Sequence, residues 1–374
     1  MKLCLITSEF PPVIGGIASH VYELARALSA KGVSVTVVHP VASGTKMING
    51  DAQGFKVLRP EIIRSKPFYD YALHRYLRTL QSEHRFDLIH VHGVRPLAAT
   101  KGLGMPVVFT NHSSGFLARH HAGFIRKWRT KRLLKHVDSL IGPSDELVES
   151  AKFFSYNGPA YMIANGVDAE RFTPGEGTKR NAWNIHSHEV VILLARRLVF
   201  KNGVIGFAEA VAQMKAENFR VVIAGDGPDR TAMTEILEKE NCLDRCLFLG
   251  RISNSDMPDI FRSADISVLP SLAEATSIAG LEAMASGLAL VGTNVGGIPT
   301  IINDGVTGLI VPPRDPAALA EALDSLCANS ETRKAMGQAA RARVEAEFSW
   351  PKIAEETLEI YQSDLDKQLN KNNL

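Results

Sequence analysis

The chain has 374 residues, of which 45% are hydrophobic and 22% are charged. This length and apolar content exclude a small or disordered protein and favour two domains. The apolar stretch at the N-terminus is too short for the hydrophobic region of a signal peptide, and no later segment reaches the roughly 18 continuous apolar residues of a membrane-spanning helix. We therefore expect a cytoplasmic protein, or one that is peripheral on the inner face of a membrane.

The net charge of +2 hides an asymmetry between the two parts of the chain. Residues 1–165 carry 21 Lys and Arg against 11 Asp and Glu, whereas residues 166–374 carry 21 against 29. A basic segment that includes a tryptophan adds to the first part, with Arg126, Lys127, Trp128, Arg129, Lys131, Arg132 and Lys135. Such a segment could bind an anionic membrane surface, although a solvated helix face is the simpler interpretation.

Apolar, β-branched runs alternate with helical periodicities along most of the chain. The run at residues 2–7 is predicted to be a buried strand, helix spacing follows from Ile17 to Leu28, and another strand is predicted at residues 33–39. Further strands are predicted at residues 86–92, 106–112, 139–144, 190–195, 219–227, 246–250, 265–271 and 289–294. This alternation indicates parallel sheets with helices on both faces. Because the strands fall into two series, we predict two Rossmann-like domains.

Glycine, proline and charged residues interrupt the pattern between residues 164 and 180, and the apolar pattern restarts after them. We therefore predict an N-terminal domain at residues 1–167 and a C-terminal domain at residues 168–350. The last segment, residues 351–374, has helical spacing, and we predict that it completes the N-terminal domain.

Ligands of doubly wound sheets bind in the loops at the carboxyl ends of the strands. In the first such loop, Gly16 lies at a helix start, where amides without a neighbouring Cβ can approach an anion; a purely structural glycine is the alternative. The fingerprint G-x-G-x-x-G is not found there, which disfavours a nicotinamide or flavin enzyme. In the second series of strands, Arg196 and Lys201 follow the first strand. They could hold a diphosphate, whose negative charge grows when a bond to it breaks. The next two strands lead into loops at Gly225 and Gly250.

The segment EATSIAGLE places Glu274 and Glu282 at the two ends of a stretch of small or apolar residues with two hydroxyls. Thr276 or Ser277 could cap a helix that starts near Ile278. The first amides of that helix would then favour a phosphate group. Carboxylates beside such an anion site suit the acceptance of hydrogen bonds from sugar hydroxyls, and ordinary glutamates at a helix start are the alternative.

The longer segment EATSIAGLEAMASG resembles the motif of retaining GT-B glycosyltransferases, in particular glycosyltransferase family 4, in which seven residues separate two glutamates. Other segments resemble this family in the same order: PPVIGGIASHV, DLIHVHG, ANGVDAERF, ARRLVFKNG, AGDGP, FLGRIS and VGTNVGGIPTII with DGVTGLIVPP. The resemblance covers nearly the whole chain, and several motifs in order are more specific than any one alone. It implies the α/β GT-B fold, with two Rossmann-like doubly wound parallel-sheet domains that face a central cleft.

The resemblance also implies roles for the domains and for individual residues. The N-terminal domain would bind the acceptor, and the C-terminal domain would bind the nucleotide-sugar donor. Glu274 would accept hydrogen bonds from the donor sugar and Glu282 from the ribose, while Arg196 and Lys201 would hold the diphosphate. His112 resembles a histidine beside the transferred sugar, with an ordinary core or loop histidine as the alternative. Further contacts to the nucleotide would come from Gly16, Gly225, Arg251, Ile252, Ala275, Thr276, Ser277 and Ile278.

The chain departs from the family pattern at one position and is ambiguous at another. The family more often has Gly-Phe after the first glutamate, whereas Ala275 and Thr276 follow it here. Backbone contacts to phosphate survive this change, but the selectivity for the sugar need not. Two adjacent arginines, Arg196 and Arg197, lie between the strand and Lys201. Arg196 is favoured as the diphosphate-binding arginine, because it lies five residues before this lysine.

The sequence and the resemblance together predict a retaining glycosyltransferase that uses a nucleotide diphosphate sugar, with UDP preferred and GDP next. The acceptor would be a hydroxyl group of a lipid-linked molecule or of a polysaccharide or glycoconjugate precursor. We expect no cofactor, no metal requirement and no nucleic acid partner, because fixed cations and helix amides can stabilise the leaving diphosphate. A GT-B nucleotide-sugar 2-epimerase and a non-catalytic nucleotide-sugar binding subunit are the alternatives, and a nicotinamide-dependent oxidoreductase is the least favoured.

Overall fold

A computed structural model describes residues 1–13, 16–42, 45, 50–52, 54–63, 65, 68–112, 116, 118–274 and 276–372. The chain forms two compact units. The N-terminal unit comprises Met1–Asn165 and Trp350–Leu374, and the C-terminal unit comprises Gly166–Ser349. The boundaries predicted from the sequence lie within two residues of these.

The N-terminal unit is built on one mainly parallel sheet. Its strands are β1 (Lys2–Thr7), β2 (Ser34–Val38), β3 (Gly50–Ala52), β4 (Phe55–Leu58), β5 (Leu88–His92), β6 (Val107–Thr110), β7 (Ser139–Gly142) and β8 (Ala160–Met162). In the described part of the chain these strands lie in the order β3-β4-β2-β1-β5-β6-β7-β8. Neighbouring strands are parallel, except for β3 and β4 at one edge, which are antiparallel.

Helices connect these strands. They are α1 (Gly16–Ala30), α2 (Phe68–His84), α3 (Val94–Leu97), α4 (Phe124–Leu134) and α5 (Asp145–Phe153), with 3-10 turns at Ala98–Thr100 and Ala118–His121. Every residue of β5 is buried, as expected for a central strand that helices cover on both faces.

The C-terminal unit is built on a parallel sheet. Its strands are β9 (Val190–Ala195), β10 (Phe219–Ala224), β11 (Cys246–Gly250), β12 (Ile266–Leu269), β13 (Ala289–Thr293) and β14 (Gly308–Val311). They lie in the order β11-β10-β9-β12-β13-β14, and every neighbouring pair is parallel. The fold class predicted from the sequence, two α/β domains with doubly wound parallel sheets, is therefore confirmed.

The helices of the C-terminal unit are mostly short. They are α6 (Lys179–Ala182), α7 (Val204–Gln213), α8 (Arg230–Lys239), α9 (Met257–Arg262), α10 (Ile278–Ala285), α11 (Ile298–Ile301), α12 (Pro316–Ala328) and α13 (Ser330–Arg343), with 3-10 turns at Phe200–Asn202 and Leu243–Arg245 and a π turn at Val344–Phe348. Among the described residues of both units, no helix combines the length and apolar character that crossing a bilayer requires.

The first strand of each series lies at the point where the strand order reverses. β1 lies between β2 and β5, and β9 lies between β10 and β12. In open α/β sheets, the crevice at the carboxyl ends of such strands is the usual ligand site. The topology therefore indicates candidate ligand sites at the loops after β1 and β5 in one unit and after β9 and β12 in the other.

The last helix, α14 (Trp350–Asn372), returns to the N-terminal unit and packs against α1. The Tyr361 side chain is fully buried, and its hydroxyl lies 2.6 Å from Nδ1 of His90 on β5. Ser139 donates a hydrogen bond of 2.9 Å to the buried carboxylate of Asp364. This helix is therefore part of the core of the N-terminal unit.

We predict that Tyr361→Ala destabilises the N-terminal unit by roughly 3–5 kcal/mol, because it removes a large buried ring and a buried hydrogen bond. The matched control is Leu369→Ala on the same helix, where the side chain is 60% exposed and the effect should stay within about 0.5 kcal/mol. Thermal and urea unfolding measure both variants. Equal stability of the two variants would contradict this description of α14.

Candidate active site

The carboxyl ends of β9 and β12 bring together two charged side chains. Arg196 follows β9 directly, and Glu274 lies in the loop that follows β12. The Arg196 guanidinium donates to the Glu274 carboxylate through Nη2 and to the Ser271 hydroxyl through Nη1. Only 9% of the arginine side chain and 16% of the glutamate side chain are exposed. The ion pair thus lies at the switch point of the sheet, where two residues singled out by the sequence meet.

Lys201 is held beside the same loop by its backbone. It lies in the 3-10 turn Phe200–Asn202, and its carbonyl oxygen accepts hydrogen bonds from the amides of Leu272 at 2.8 Å and Ala273 at 3.3 Å. Its side chain is exposed. The position of the backbone is therefore fixed relative to the loop that carries Glu274, while the ammonium group faces solvent.

Two glycines with left-handed backbones allow these loops to approach closely. Gly203 has φ +69°, and a Cβ there would lie 1.6 Å from the carbonyl oxygen of Pro270. Gly296 has φ +52°, and a Cβ there would lie 1.7 Å from the carbonyl oxygen of Glu274. That oxygen also accepts a hydrogen bond of 3.3 Å from the Gly297 amide. The loops after β9 and β13 therefore contact the loop after β12 from two directions.

The loops after β10 and β11 join the same edge of the sheet. A Cβ at Gly225 would lie 1.8 Å from the carbonyl oxygen of Arg196, and Gly225 forms a β-bridge with Gly250. Arg251, which is exposed, and Ile252, which is half-buried, come next in the chain. The structure thus links the loops that carry Arg196 and Arg251 through backbone contacts at two glycines.

The predicted helix start near Ile278 is confirmed. Helix α10 begins at Ile278, and the Ser277 hydroxyl caps it by accepting a hydrogen bond of 3.2 Å from the Gly280 amide. Thr276 and Ser277 are both buried. Ala275, which the resemblance assigns to the phosphate site, lies outside the described residues.

Glu282 lies within α10 and is half-buried. Burial raises the pKa of its carboxyl to about 8, an effect that the nearby Arg171 guanidinium partly offsets. In the described part of the chain this carboxylate forms no hydrogen bond with the Arg196–Glu274 pair. Arg171 in turn donates a hydrogen bond to the Asn254 carbonyl. Sequence reasoning gave Arg171 no role, although it lies in the quoted segment ANGVDAERF.

In the N-terminal unit, four histidine rings cluster at the carboxyl edge of the sheet. His92 ends β5 and His112 follows β6, and their Nδ1 and Nε2 atoms lie 2.8 Å apart. The ring of His20, on α1, has its centroid 4.5 Å from that of His112. The His90 ring is tilted by 39° relative to that of His92, with the centroids 4.1 Å apart.

Burial holds these four rings in the neutral form. It lowers the pKa of His20 to about 4 and of His90 to about 3, and it holds the pKa values of His92 and His112 well below their ordinary range. The sequence assigned chemistry to His112 alone, although the quoted family segments contain the other three. Gly16, the other predicted site residue of this unit, opens α1.

The predicted basic segment forms α4 and an adjoining surface. Three of its apolar side chains are exposed, Phe124 to 82%, Ile125 to 72% and Trp128 to 51%, whereas Leu134 is buried. Phe153 on the neighbouring α5 is 53% exposed, and the Lys127 ammonium lies 5.3 Å from the centre of its ring. We call this α4 face and Phe153 the basic aromatic surface.

The structure has two α/β domains with doubly wound sheets, as the GT-B fold requires. Two protein-family models match the chain in series, Glycosyltransferase Family 4 over residues 14–171 and Glycosyl transferases group 1 over residues 176–343. The chain therefore belongs to the family 4 and group 1 glycosyltransferases.

Individual relatives resemble the chain over most of its length. Glycogen synthase from Mycobacterium tuberculosis is 26% identical over 398 residues, covering 96% of this chain and 94% of that protein. A GDP-mannose-dependent alpha-(1-6)-phosphatidylinositol monomannoside mannosyltransferase from the same species is 25% identical over 389 residues, covering 97% and 98%. The structure of sucrose-phosphate synthase from Thermosynechococcus elongatus superposes with a TM-score of 0.79 at 23% identity, covering 97% of this chain and 98% of that one. This structure shows the same fold.

We predict that Gly203→Ala displaces the turn that carries Lys201, because a Cβ there would collide with Pro270 and the left-handed backbone alone costs about 1–3 kcal/mol. Gly206→Ala is the matched control, since a Cβ there has nothing within 4 Å and alanine favours the helix by up to about 1 kcal/mol. Thermal unfolding and nucleotide titration measure both variants. A Gly203→Ala protein as stable as Gly206→Ala would contradict the close approach.

We also predict a pH-dependent stability effect of Glu282. Because its pKa is about 8 in the folded protein and about 4.3 in an unfolded chain, unfolding releases a proton between these values, and stability falls as the pH rises. Glu282→Gln removes this loss of stability at higher pH. The melting temperature of the variant minus that of the parent should increase from pH 5 to pH 8 and then level off.

The control for this titration is Glu238→Gln, which changes an exposed glutamate on α8. Its melting temperature should follow that of the parent across the same pH range. A difference between Glu282→Gln and the parent that stays constant from pH 5 to pH 9 would show that burial does not shift this carboxyl.

Proposed function

We propose that this protein transfers a sugar from a nucleoside diphosphate sugar to a hydroxyl acceptor, with retention of configuration at the anomeric carbon. The observation that carries the proposal is the Arg196–Glu274 ion pair at the switch point of the C-terminal sheet. It combines a cation that can hold a phosphate with a carboxylate that can hold a sugar hydroxyl, in one place where ligands of this fold bind.

The ion pair leaves hydrogen-bonding capacity for a ligand. A guanidinium has five N–H donors, and two of its amino groups are directed to Glu274 and Ser271. The remaining donors can reach phosphate oxygens. Glu274 uses Oε2 for the arginine, so Oε1 can accept a hydrogen bond from a sugar hydroxyl. A bound donor would therefore keep the ion pair and use its outer atoms.

Three groups would stabilise the diphosphate as it leaves. Arg196 and Lys201 supply fixed positive charge, and the first amides of α10 supply the positive end of a helix dipole. Charge on the leaving oxygen grows toward the transition state, so these groups act most strongly there. On this account the transfer needs no metal ion and no cofactor. The departing phosphate would then help to deprotonate the acceptor on the same face of the sugar, which retains the configuration.

Glu282 would bind the ribose of the nucleotide. Two adjacent ribose hydroxyls donating to this carboxylate would favour its charged form and lower its raised pKa. Such a contact is the same in the ground state and in the transition state, so it should contribute to donor affinity more than to turnover. The base would lie near Arg251 and Ile252, whose loop joins the Arg196 loop through Gly225 and Gly250.

We propose that the donor nucleotide is UDP or GDP. The resemblance to family 4 favours UDP, and the relative named as GDP-mannose-dependent makes GDP the next nucleotide to test. We propose that the N-terminal unit binds the acceptor, with His112 beside the transferred sugar. Glycogen in the name of one relative and a phosphatidylinositol mannoside in that of another are consistent with a glycan or lipid-linked acceptor.

We further propose that the basic aromatic surface binds an anionic membrane, which would bring the protein to a lipid-linked acceptor. Lysine and arginine side chains on α4 attract anionic headgroups, and the exposed Phe124, Ile125 and Trp128 can insert at the headgroup level. Electrostatic attraction and apolar insertion then act together, as in other peripheral amphipathic helices.

Steady-state kinetics with nucleotide-release detection test the proposed roles. Lys201→Ala should lower kcat by roughly 100-fold with a smaller effect on donor affinity, because its charge acts in the transition state.

Glu282→Ala should raise the KM for the donor by about 10- to 100-fold, since it removes a hydrogen bond to a charged group. Glu274→Gln should lower kcat and leave binding of the free nucleotide nearly unchanged.

Each variant is compared with the parent at matched melting temperature. If well-folded Lys201→Ala and Glu274→Gln both keep the parental kcat, the site assignment is wrong. Nucleotide-sugar isomerisation without an acceptor would indicate an epimerase, and donor binding without turnover for any acceptor would indicate a binding subunit.

Vesicle sedimentation tests the basic aromatic surface. The double variant Phe124→Ser/Trp128→Ser should bind anionic vesicles at least about tenfold more weakly than the parent, because each aromatic side chain contributes more than about 1.4 kcal/mol when buried. Val306→Ser, which changes an exposed apolar residue of the C-terminal unit, should bind like the parent. Equal sedimentation of the parent with neutral and anionic vesicles at low salt would contradict a membrane role.

A further inference from the structure

Three histidines of the N-terminal unit converge in a way that the transfer reaction does not require. His20, His92 and His112 each offer an imidazole nitrogen, and these three nitrogens lie within 4.8 Å of one another. They come from three different elements, namely helix α1, the end of β5 and the loop after β6. Imidazole nitrogen is a preferred ligand of zinc and of neighbouring transition metals.

Hydrogen bonds orient the cluster as they do in metal sites. The Asn165 amide oxygen lies 3.0 Å from Nδ1 of His20 and accepts from it, which leaves Nε2 of this ring with a free lone pair. In many metal sites a partner of this kind fixes the tautomer of the ligating histidine. His90, by contrast, uses both nitrogens, one with the Tyr361 hydroxyl and one with the Thr110 hydroxyl, each at 2.6 Å. It therefore packs beside the cluster and is not a ligand.

The two nitrogens of His92 have different surroundings. Nε2 is buried and has no hydrogen-bond partner among the described residues. Nδ1 lies 2.8 Å from Nε2 of His112. A metal ion would replace this contact, and Nδ1 would then be the nitrogen of His92 that binds it. Zinc–nitrogen bonds of about 2.0–2.1 Å place tetrahedral ligand nitrogens roughly 3.4 Å apart. Shifts of less than about 1.5 Å in the rings would therefore bring the nitrogens to the separation that zinc needs.

Exposure differs among the three rings. His20 and His92 are buried, whereas His112 is only half-buried. Three protein ligands leave the fourth position of a tetrahedral ion for water or another ligand.

We propose that His20, His92 and His112 bind one divalent transition-metal ion, with zinc as the preferred ion. The site would be regulatory, because a metal ion would occupy the ring nitrogen of His112 and remove this residue from the transferred sugar. This consequence rests on the proposed function of His112, whereas metal binding itself does not. Zinc should therefore inhibit the transfer, while the chelator-treated protein stays active.

The test is a calorimetric titration of the full chain with Zn²⁺ after chelator treatment and desalting, together with the visible absorption of bound Co²⁺. We expect one tightly bound ion per chain and an intense Co²⁺ spectrum typical of tetrahedral coordination. His20→Gln and His92→Gln should abolish this binding. Asn165→Ala, which leaves all three ligands in place, should weaken it by roughly 10- to 100-fold.

His188→Gln is the matched control, because His186 and His188 form an exposed stacked pair that could bind metal ions adventitiously, with centroids 5.6 Å apart. This variant should bind zinc like the parent. Where a buried variant does not fold, as judged by its melting temperature, His112→Asn at the half-buried position replaces it. The absence of one-to-one binding, or its loss in His188→Gln but not in the cluster variants, would show that the histidines form a hydrogen-bond network only.

Discussion

The Arg196–Glu274 ion pair is the interaction on which the rest of the C-terminal site depends. Its two residues follow neighbouring strands, so the pair ties the loop after β9 to the loop after β12. Charges that are this far removed from water are costly unless they are well paired, and here Ser271 accepts a second hydrogen bond from the guanidinium. The pair therefore holds the loop that leads to Lys201 against the loop that leads to α10, which is where we propose that a phosphate binds.

The two units present different chemistry at the same edge of similar sheets. The C-terminal unit brings fixed charges together, whereas the N-terminal unit brings together four imidazoles that burial keeps neutral. Fixed cations suit a leaving diphosphate, and neutral imidazoles suit hydroxyl groups or a metal ion. The shared topology supplies the place for a ligand, and the residues at the strand ends decide which chemistry occurs there.

The sequence predicted the central strands because they are continuous apolar runs, and all of those predicted are present. It missed β3, β4, β8 and β14, which lie at or next to the sheet edges, where a strand need not be a continuous apolar run. The helix start at Ile278 was predictable from local capping chemistry. The hydrogen bond between Arg196 and Glu274, the raised pKa of Glu282 and the histidine cluster were not, because each depends on residues that only the tertiary fold brings together.

The most direct test of the central claim is a calorimetric titration of UDP and GDP into the parent, Arg196→Ala and Arg197→Ala. The two arginines are adjacent in sequence, but Arg196 pairs with Glu274 whereas the Arg197 side chain is exposed. We expect at least one of the two nucleotides to bind the parent. Arg196→Ala should weaken this binding by about tenfold or more, because a charge-assisted contact is lost. Arg197→Ala should have little effect on it. Equal nucleotide affinity in Arg196→Ala and the parent, at matched melting temperature, would contradict it.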